Sequence, residues 1–167
     1  AVARFRGDCS VSVVRCDETG VIRIADVLDA IRSETVLIAL MHVNNETGMI
    51  QPVEELGRAL RGRGIAFLCD AVQSLGRIPF FVDDIGCDFA SLSSHKLYGP
   101  MGVGALYVRS GTPLQPMLVG GGQEGGLRSG TENVPGIVGF ARAVELAVRE
   151  QTGRRLHLAQ CEREFLS

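Results

Sequence analysis

Ser91-Leu92-Ser93-Ser94-His95-Lys96-Leu97-Tyr98-Gly99-Pro100 closes an apolar run with hydroxyls, an imidazole and a lysine, and a glycine and a proline follow. An amine in that company suits covalent capture of an aldehyde cofactor as a Schiff base, with anion donors alongside. Lysine is ordinarily exposed, and a solvated loop lysine fits the stretch equally well when it is read alone. The residues around it decide.

Working outward, residues 88–92 read as a short strand that delivers Lys96 just past its end. Residues 65–69 read as another, with Asp70 at its carboxyl end. Residues 35–43 form a continuous apolar run bounded by polar residues, the mark of a strand buried on both faces. The run leads into Asn44-Asn45-Glu46-Thr47-Gly48. Between these runs the period changes. Val27, Leu28 and Ile31 share one helical face, and Pro52 opens a helix carrying Val53, Leu56, Ala59 and Leu60 that ends at residues 62–64. Residues 102–108 read as a further strand, and β-branched residues 10–16 as one before a turn at Asp17-Glu18-Thr19-Gly20. The alternation predicts an α/β fold with parallel pairing of its strands. Ligands in such sheets bind beyond the carboxyl ends of strands. Asn45, Asp70 and Lys96 each follow a predicted strand, so topology alone brings them toward one site.

Residues 118–133 are rich in glycine and read as a long loop. From Pro135 a helical face of Phe140, Val144 and Ala147 begins, with an interruption expected at Gly153. The sequence has 167 residues, 46% hydrophobic and 22% charged, which is a globular composition with room for a core. A net charge of −2 leaves no basic face for nucleic acid. No apolar run is long enough to span a bilayer. Residues 1–6 carry neither a signal-peptide core nor an initiator Met, so a processed chain or a fragment is expected. Cys9, Cys16, Cys69, Cys87 and Cys161 form no C-x-x-C pair, and an odd, scattered set favours reduced thiols. The expected setting is the cytoplasm, with an organellar matrix as the alternative. His42, His95 and His157 lack metal-ligand spacing.

Asp70 and Gln73 lie three apart at what reads as a strand-to-helix junction. Asp70 could cap that helix, or pair with a protonated pyridine nitrogen and keep the ring an electron sink, as in pyridoxal phosphate. Gln73 and Asn45 could donate to a ring hydroxyl, while Asn45 could equally form an Asx-turn. Ser93 and His95 could reach a phosphate. Taken alone, His95 fits a plain surface histidine better, and a Ser-His hydrolase is also conceivable, but no G-x-S-x-G elbow is present. Gly120-Gly121-Gly122-Gln123-Glu124-Gly125-Gly126-Leu127-Arg128-Ser129-Gly130-Thr131-Glu132-Asn133 is neither a Walker loop nor a Rossmann fingerprint. Its backbone amides could approach an anion, with Arg128 and Thr131 as further donors, or it could be a plain surface loop.

Together, Met41-His42-Val43-Asn44-Asn45-Glu46-Thr47-Gly48, Asp70-Ala71-Val72-Gln73, Ser93 to Pro100 and Gly120 to Gly136 resemble the class V aminotransferase family, specifically its cysteine desulfurases. The blocks occur in family order, and the run around Val134-Pro135-Gly136 resembles the iron–sulfur and nitrogen-fixation branch. The resemblance implies part of the large domain of fold type I of the enzymes that use pyridoxal phosphate, an α/β fold with a mixed, mostly parallel sheet between helices. Residues 1–134 would be its central part, and 135–167 a helix leading toward a smaller C-terminal domain. It further implies Lys96 as the Schiff-base lysine and proton carrier, Asp70 as partner of the ring nitrogen, and Gln73 and Asn45 as donors to the ring oxygen. Ser93 and His95 would be phosphate ligands, and Val72 would pack against the ring. Thr131 would reach the neighbouring subunit's phosphate, which implies a homodimer.

The implied reaction converts L-cysteine to L-alanine and leaves a persulfide on an enzyme cysteine, for iron–sulfur assembly or thiolation through an acceptor or scaffold protein. The resemblance puts the nucleophilic cysteine and the arginine that grips the substrate carboxylate beyond residue 167. It puts a phosphate loop and a ring-stacking histidine before residue 1. The 167 residues alone are therefore expected to make no persulfide, and Cys69 to serve packing. Alternatives in the same fold are a selenocysteine lyase or another class V aminotransferase. A non-catalytic scaffold that kept the fold is the alternative of another class.

Overall fold

A computed structural model describes residues 9–166. The N-terminal residues 1–6, residue 167 and the ends of the two proposed segments that contain them lie outside the described residues. In chain order the elements are α1 (Ile24–Asp29), β1 (Leu37–Met41), α2 (Val53–Leu60), β2 (Ala66–Asp70), α3 (Val82–Ile85), β3 (Phe89–Ser93), a 3-10 turn (Ser94–Leu97), β4 (Gly104–Val108), a second 3-10 turn (Glu124–Gly126) and α4 (Val134–Leu166).

The strands form one sheet in the order β1-β2-β3-β4. β1, β2 and β3 run parallel and β4 pairs antiparallel with β3. The register sets Met41 opposite Asp70, and Asp70 opposite Ser91. The carboxyl ends of three parallel strands therefore lie side by side, which is where an α/β sheet binds ligands.

Each element follows from its residues. In α2, Val53, Leu56, Gly57 and Leu60 fall on one buried face, and Pro52 stands at the start, where its missing N–H has no helical partner to lose. In β2, Phe67 and Cys69 point into the core while Ala66, Leu68 and Asp70 face the other way. The main core joins Ile24 and Val27 of α1, the apolar face of α2, Phe67, Cys69, Ala71, Ile85, Cys87 and Ala90. A second core docks Phe140, Ala143 and Ala147 of α4 on Leu97 of the lysine-bearing turn.

Several expectations change. Residues 10–16 form no strand, because they pair with no neighbour; Val13 is 75% exposed and Val14 alone among them packs on the core. β1 is not buried on both faces. It is the outermost strand of the described sheet, and only Ile38 and Leu40 pack on the core while Leu37 is 49% exposed. Residues 72–77 make successive turns instead of a helix after Asp70. α4 runs unbroken through Gly153, which an Arg154–Glu150 ion pair of 2.8 Å spans. Its first turn is closed by the Gly136 amide donating to Asn133 Oδ1 at 3.1 Å, a side-chain cap.

Candidate functional site

The site is built where β2 and β3 end. Asp70 is the last residue of β2 and half-buried. Its Oδ1 accepts from the Ser91 hydroxyl at 2.9 Å and from the Val72 amide at 3.1 Å. The first bond crosses between neighbouring strands at the registered pair Asp70–Ser91. The second curls the chain into the turns that follow. Two donors on one oxygen fix the carboxylate's direction.

At the end of β3, Ser93 Oγ and His95 Nδ1 lie 2.9 Å apart. One residue on, Lys96 is half-buried on the 3-10 turn. It is the only lysine in the sequence, against sixteen arginines. Its backbone is held from three sides. Leu97 is buried against α4, the Gly99 amide donates to the Ser94 carbonyl at 3.1 Å, and Tyr98 closes the turn in the left-handed region at φ 61°. A non-glycine residue there is held by its surroundings at some cost in strain.

Gln73 lies in the turns after Asp70, with its Oε1 accepting from the Arg77 guanidinium. Arg77 also donates to the Lys96 carbonyl at 2.9 Å. Asn45 stands further out, exposed, its amide donating to Glu46 at 2.7 Å. The Asx-turn at this bend belongs to Asn44, whose Oδ1 accepts from the Glu46 and Thr47 amides, both at 2.9 Å. Thr131 is exposed in the loop before α4, where Arg128 donates to the Ser129 carbonyl at 3.1 Å. The structure thus joins Asp70 with Ser91, Ser93 with His95, and Gln73 with Lys96 through Arg77. Asn45 and Thr131 make no hydrogen bond to these groups. Ser91 and Arg77 carried no sequence signal of their own, since Ser91 meets Asp70 and Arg77 meets the Lys96 carbonyl only across long stretches of chain.

Beside the site, Cys69 is fully buried, and burial pushes its thiol up to about 12. It stays a protonated packing group at neutral pH, as expected. His42, one residue beyond β1, donates its backbone N–H to the Asp70 carbonyl at 2.9 Å. Its ring is buried near Phe80, at 6.2 Å between centroids, and its Nδ1 has no partner. Burial lowers its pKa below the ordinary 6.5, opposed by the charge of Glu54. The unfolded chain then binds a proton that the fold resists, so this contribution to stability is present above pH 6.5 and is lost as pH falls below it. We expect His42→Phe to flatten the fall in Tm between pH 7.5 and 5.5. A Tm–pH curve parallel to that of the parent would exclude the effect.

Three comparisons bear on this arrangement. The family described as aminotransferase class-V matches residues 2–160. A cysteine desulfurase IscS of Anaeromyxobacter sp. (strain Fw109-5) is 58% identical over 120 residues, 71% of this chain and 30% of that protein. The cysteine desulfurase IscS of Dictyoglomus turgidum is 47% identical over 140 residues, 84% of this chain and 36% of that protein. A solved NifS-like protein superposes with a TM-score of 0.92 at 41% identity, covering 97% of this chain and 45% of that one. A structure described as SspA in complex with cysteine gives 0.77 at 46% identity, covering 81% and 39%. The chain spans about a third of the length of the curated relatives it matches.

Proposed function

The chain belongs to the class V aminotransferase family, and from that membership we propose that the whole protein is a pyridoxal-phosphate-dependent cysteine desulfurase. One observation supports this above others: a doubly held carboxylate, Asp70, and the sole lysine of the sequence stand at the ends of adjacent parallel strands. The donor set fits the cofactor chemically. Its pyridine nitrogen needs an anion, its aldehyde a primary amine, and its phosphate neutral or cationic donors. Asp70, Lys96 and the Ser93–His95 pair offer these in turn. Pyridoxal phosphate supplies, when bound, an electron sink for the carbon that loses a proton.

The chain's own residues have distinct tasks. Asp70 keeps positive charge on the ring nitrogen, and Ser91 aims Asp70. Lys96 Nζ holds the cofactor and then carries the substrate α-proton. Ser93 and His95 bind phosphate. Gln73 and Asn45 donate to the ring oxygen, and Val72 packs against the ring. Thr131 serves the site of a second subunit in a homodimer. We assign residues 1–134 to the cofactor-binding domain and 135–167 to the helix leading out of it. Sulfur passes from L-cysteine to a thiolate elsewhere in the protein, then to an acceptor or scaffold protein. Cys69 and Cys87 are excluded from that role by complete burial and raised pKa values. Unpaired thiols at all five cysteines accord with a reducing compartment, the cytoplasm or an organellar matrix.

The test is alanine release from L-cysteine by the whole protein loaded with pyridoxal phosphate, compared with selenocysteine. Alanine formed faster from cysteine supports a desulfurase; turnover of selenocysteine alone makes it a lyase. Asp70→Asn keeps an oxygen for Ser91 and Val72 but removes the charge. It should retain cofactor and slow alanine release on the order of 100-fold. A rate within threefold of the parent's would remove Asp70 from the ring.

A further inference from the structure

We propose that Arg77 is a positioning residue that locks the orientation of the Gln73 amide and ties it to the backbone of Lys96. The inference rests on the cofactor reading above, and extends it to a residue outside that donor set. Two bonds carry it. One arm of the guanidinium donates to Gln73 Oε1, and the other donates to the Lys96 carbonyl at 2.9 Å. An amide can present oxygen or NH2 in either of two flipped orientations, and a cation on one side decides between them. With Arg77 on the oxygen, Gln73 presents only N–H toward any other partner. That is the polarity a ring oxygen requires. The second arm satisfies a carbonyl in the 3-10 turn that bears the lysine, where short turns leave carbonyls unpaired.

Packing holds the two turns in register. Gly76, beside Arg77, has φ +72°, and a Cβ built on it would stand 2.5 Å from Ala147 Cβ and 2.9 Å from Leu97 Cδ2. No side chain fits there, so the turn carrying Gln73 and Arg77 lies directly on Leu97 and α4. Ser74, in the same turns, is fully buried. Arg77 itself is exposed, so it reaches over the outside of this contact and clasps it. A lysine at 77 could reach one acceptor at a time, whereas the guanidinium fork reaches both.

The experiment uses the whole protein loaded with pyridoxal phosphate and compares Arg77→Met, Arg77→Lys, Gln73→Ala and the double variant Gln73→Ala/Arg77→Met. Three quantities are read: cofactor affinity, visible circular dichroism per bound cofactor, and Tm without cofactor. Arg77→Met should weaken cofactor binding about fivefold, the scale of one ordinary hydrogen bond, because Arg77 is exposed, and should change the visible dichroism. Arg77→Lys should recover part of both. In the Gln73→Ala background the same Arg77 change should cost much less, because residues acting through one another are not additive. The proposal is overturned if dichroism and affinity per folded protein match the parent, or if the Arg77 effect is undiminished without Gln73. A drop in cofactor-free Tm with unchanged dichroism also overturns it, making Arg77 a structural tether alone. Cofactor that borohydride still fixes covalently to Lys96→Ala would defeat the cofactor reading on which the proposal rests, whereas parent-like Arg77 variants with Lys96-dependent fixation would defeat the Arg77 proposal alone.

Discussion

Lys96→Ala in the whole protein should abolish the lysine-dependent visible absorption of added pyridoxal phosphate and slow alanine release from L-cysteine by about a thousandfold or more. The reason is chemical before it is structural. In the proposed mechanism the amine both holds the cofactor and carries a proton, and no second lysine exists among these 167 residues to replace it. Lys96→Arg separates charge from chemistry. Guanidinium keeps the positive charge but stays protonated, so it cannot form the covalent link. Both variants should therefore fail alike, although arginine preserves the field at the site. The fold should survive either change, because the anchors of the turn are Leu97 on α4 and the Gly99–Ser94 backbone bond, neither of which involves the lysine side chain. Borohydride reduction of the loaded parent, followed by peptide mapping, should find the cofactor on Lys96. A visible band in Lys96→Ala, or a rate within tenfold of the parent's, would sink the assignment.

The parts that were legible in the sequence share a property: their signals are local. The buried face of α2, the Pro52 start and the apolar runs of β2 and β3 are written in spacing, and each appears within a residue or two of its expected place. Asp70 and Lys96 were legible for the same reason, as polar residues directly after apolar runs. What was hidden depends on partners far along the chain. Residues 10–16 have strand-forming side chains, but propensity makes no strand without a neighbour to pair with. α3 is a single turn, Val82–Ile85, too short to show a period. The Asx-turn belongs to Asn44 and not Asn45, a choice between identical side chains that the backbone path makes. Ser91 reaches Asp70 only because strand register puts them opposite, and Arg77 reaches the Lys96 carbonyl nineteen positions away. The placement of Asp70 and Lys96 was therefore readable, and the bonds from Ser91 and Arg77 that hold them were not.

Gly57→Ala is expected to destabilise the protein by about 2–4 kcal/mol, read as a fall in Tm of several degrees. Helix propensity predicts the opposite sign, since replacing a mid-helix glycine by alanine ordinarily stabilises by about 1 kcal/mol. The contact decides between them. Gly57 sits on the buried face of α2, and a Cβ built on it would stand 1.8 Å from the Ile85 carbonyl oxygen and 3.0 Å from its carbon. Those atoms are backbone, so no rotamer change relieves the overlap; α2 or α3 must move. Moving α3 would displace Ile85 within the main core, which also holds Phe67 and Cys69 of the strand that ends in Asp70. Gly153→Ala is the matched control. It lies within α4 with nothing within 4 Å of the added carbon, so propensity alone should act and raise stability by about 0.5–1 kcal/mol. Opposite shifts in the two variants mean that close approach of α2 to α3 sets the Gly57 requirement. A Gly57→Ala protein as stable as the parent would mean that these helices are not packed backbone to backbone, and that the support beneath β2 is looser than the contact at Gly57 implies.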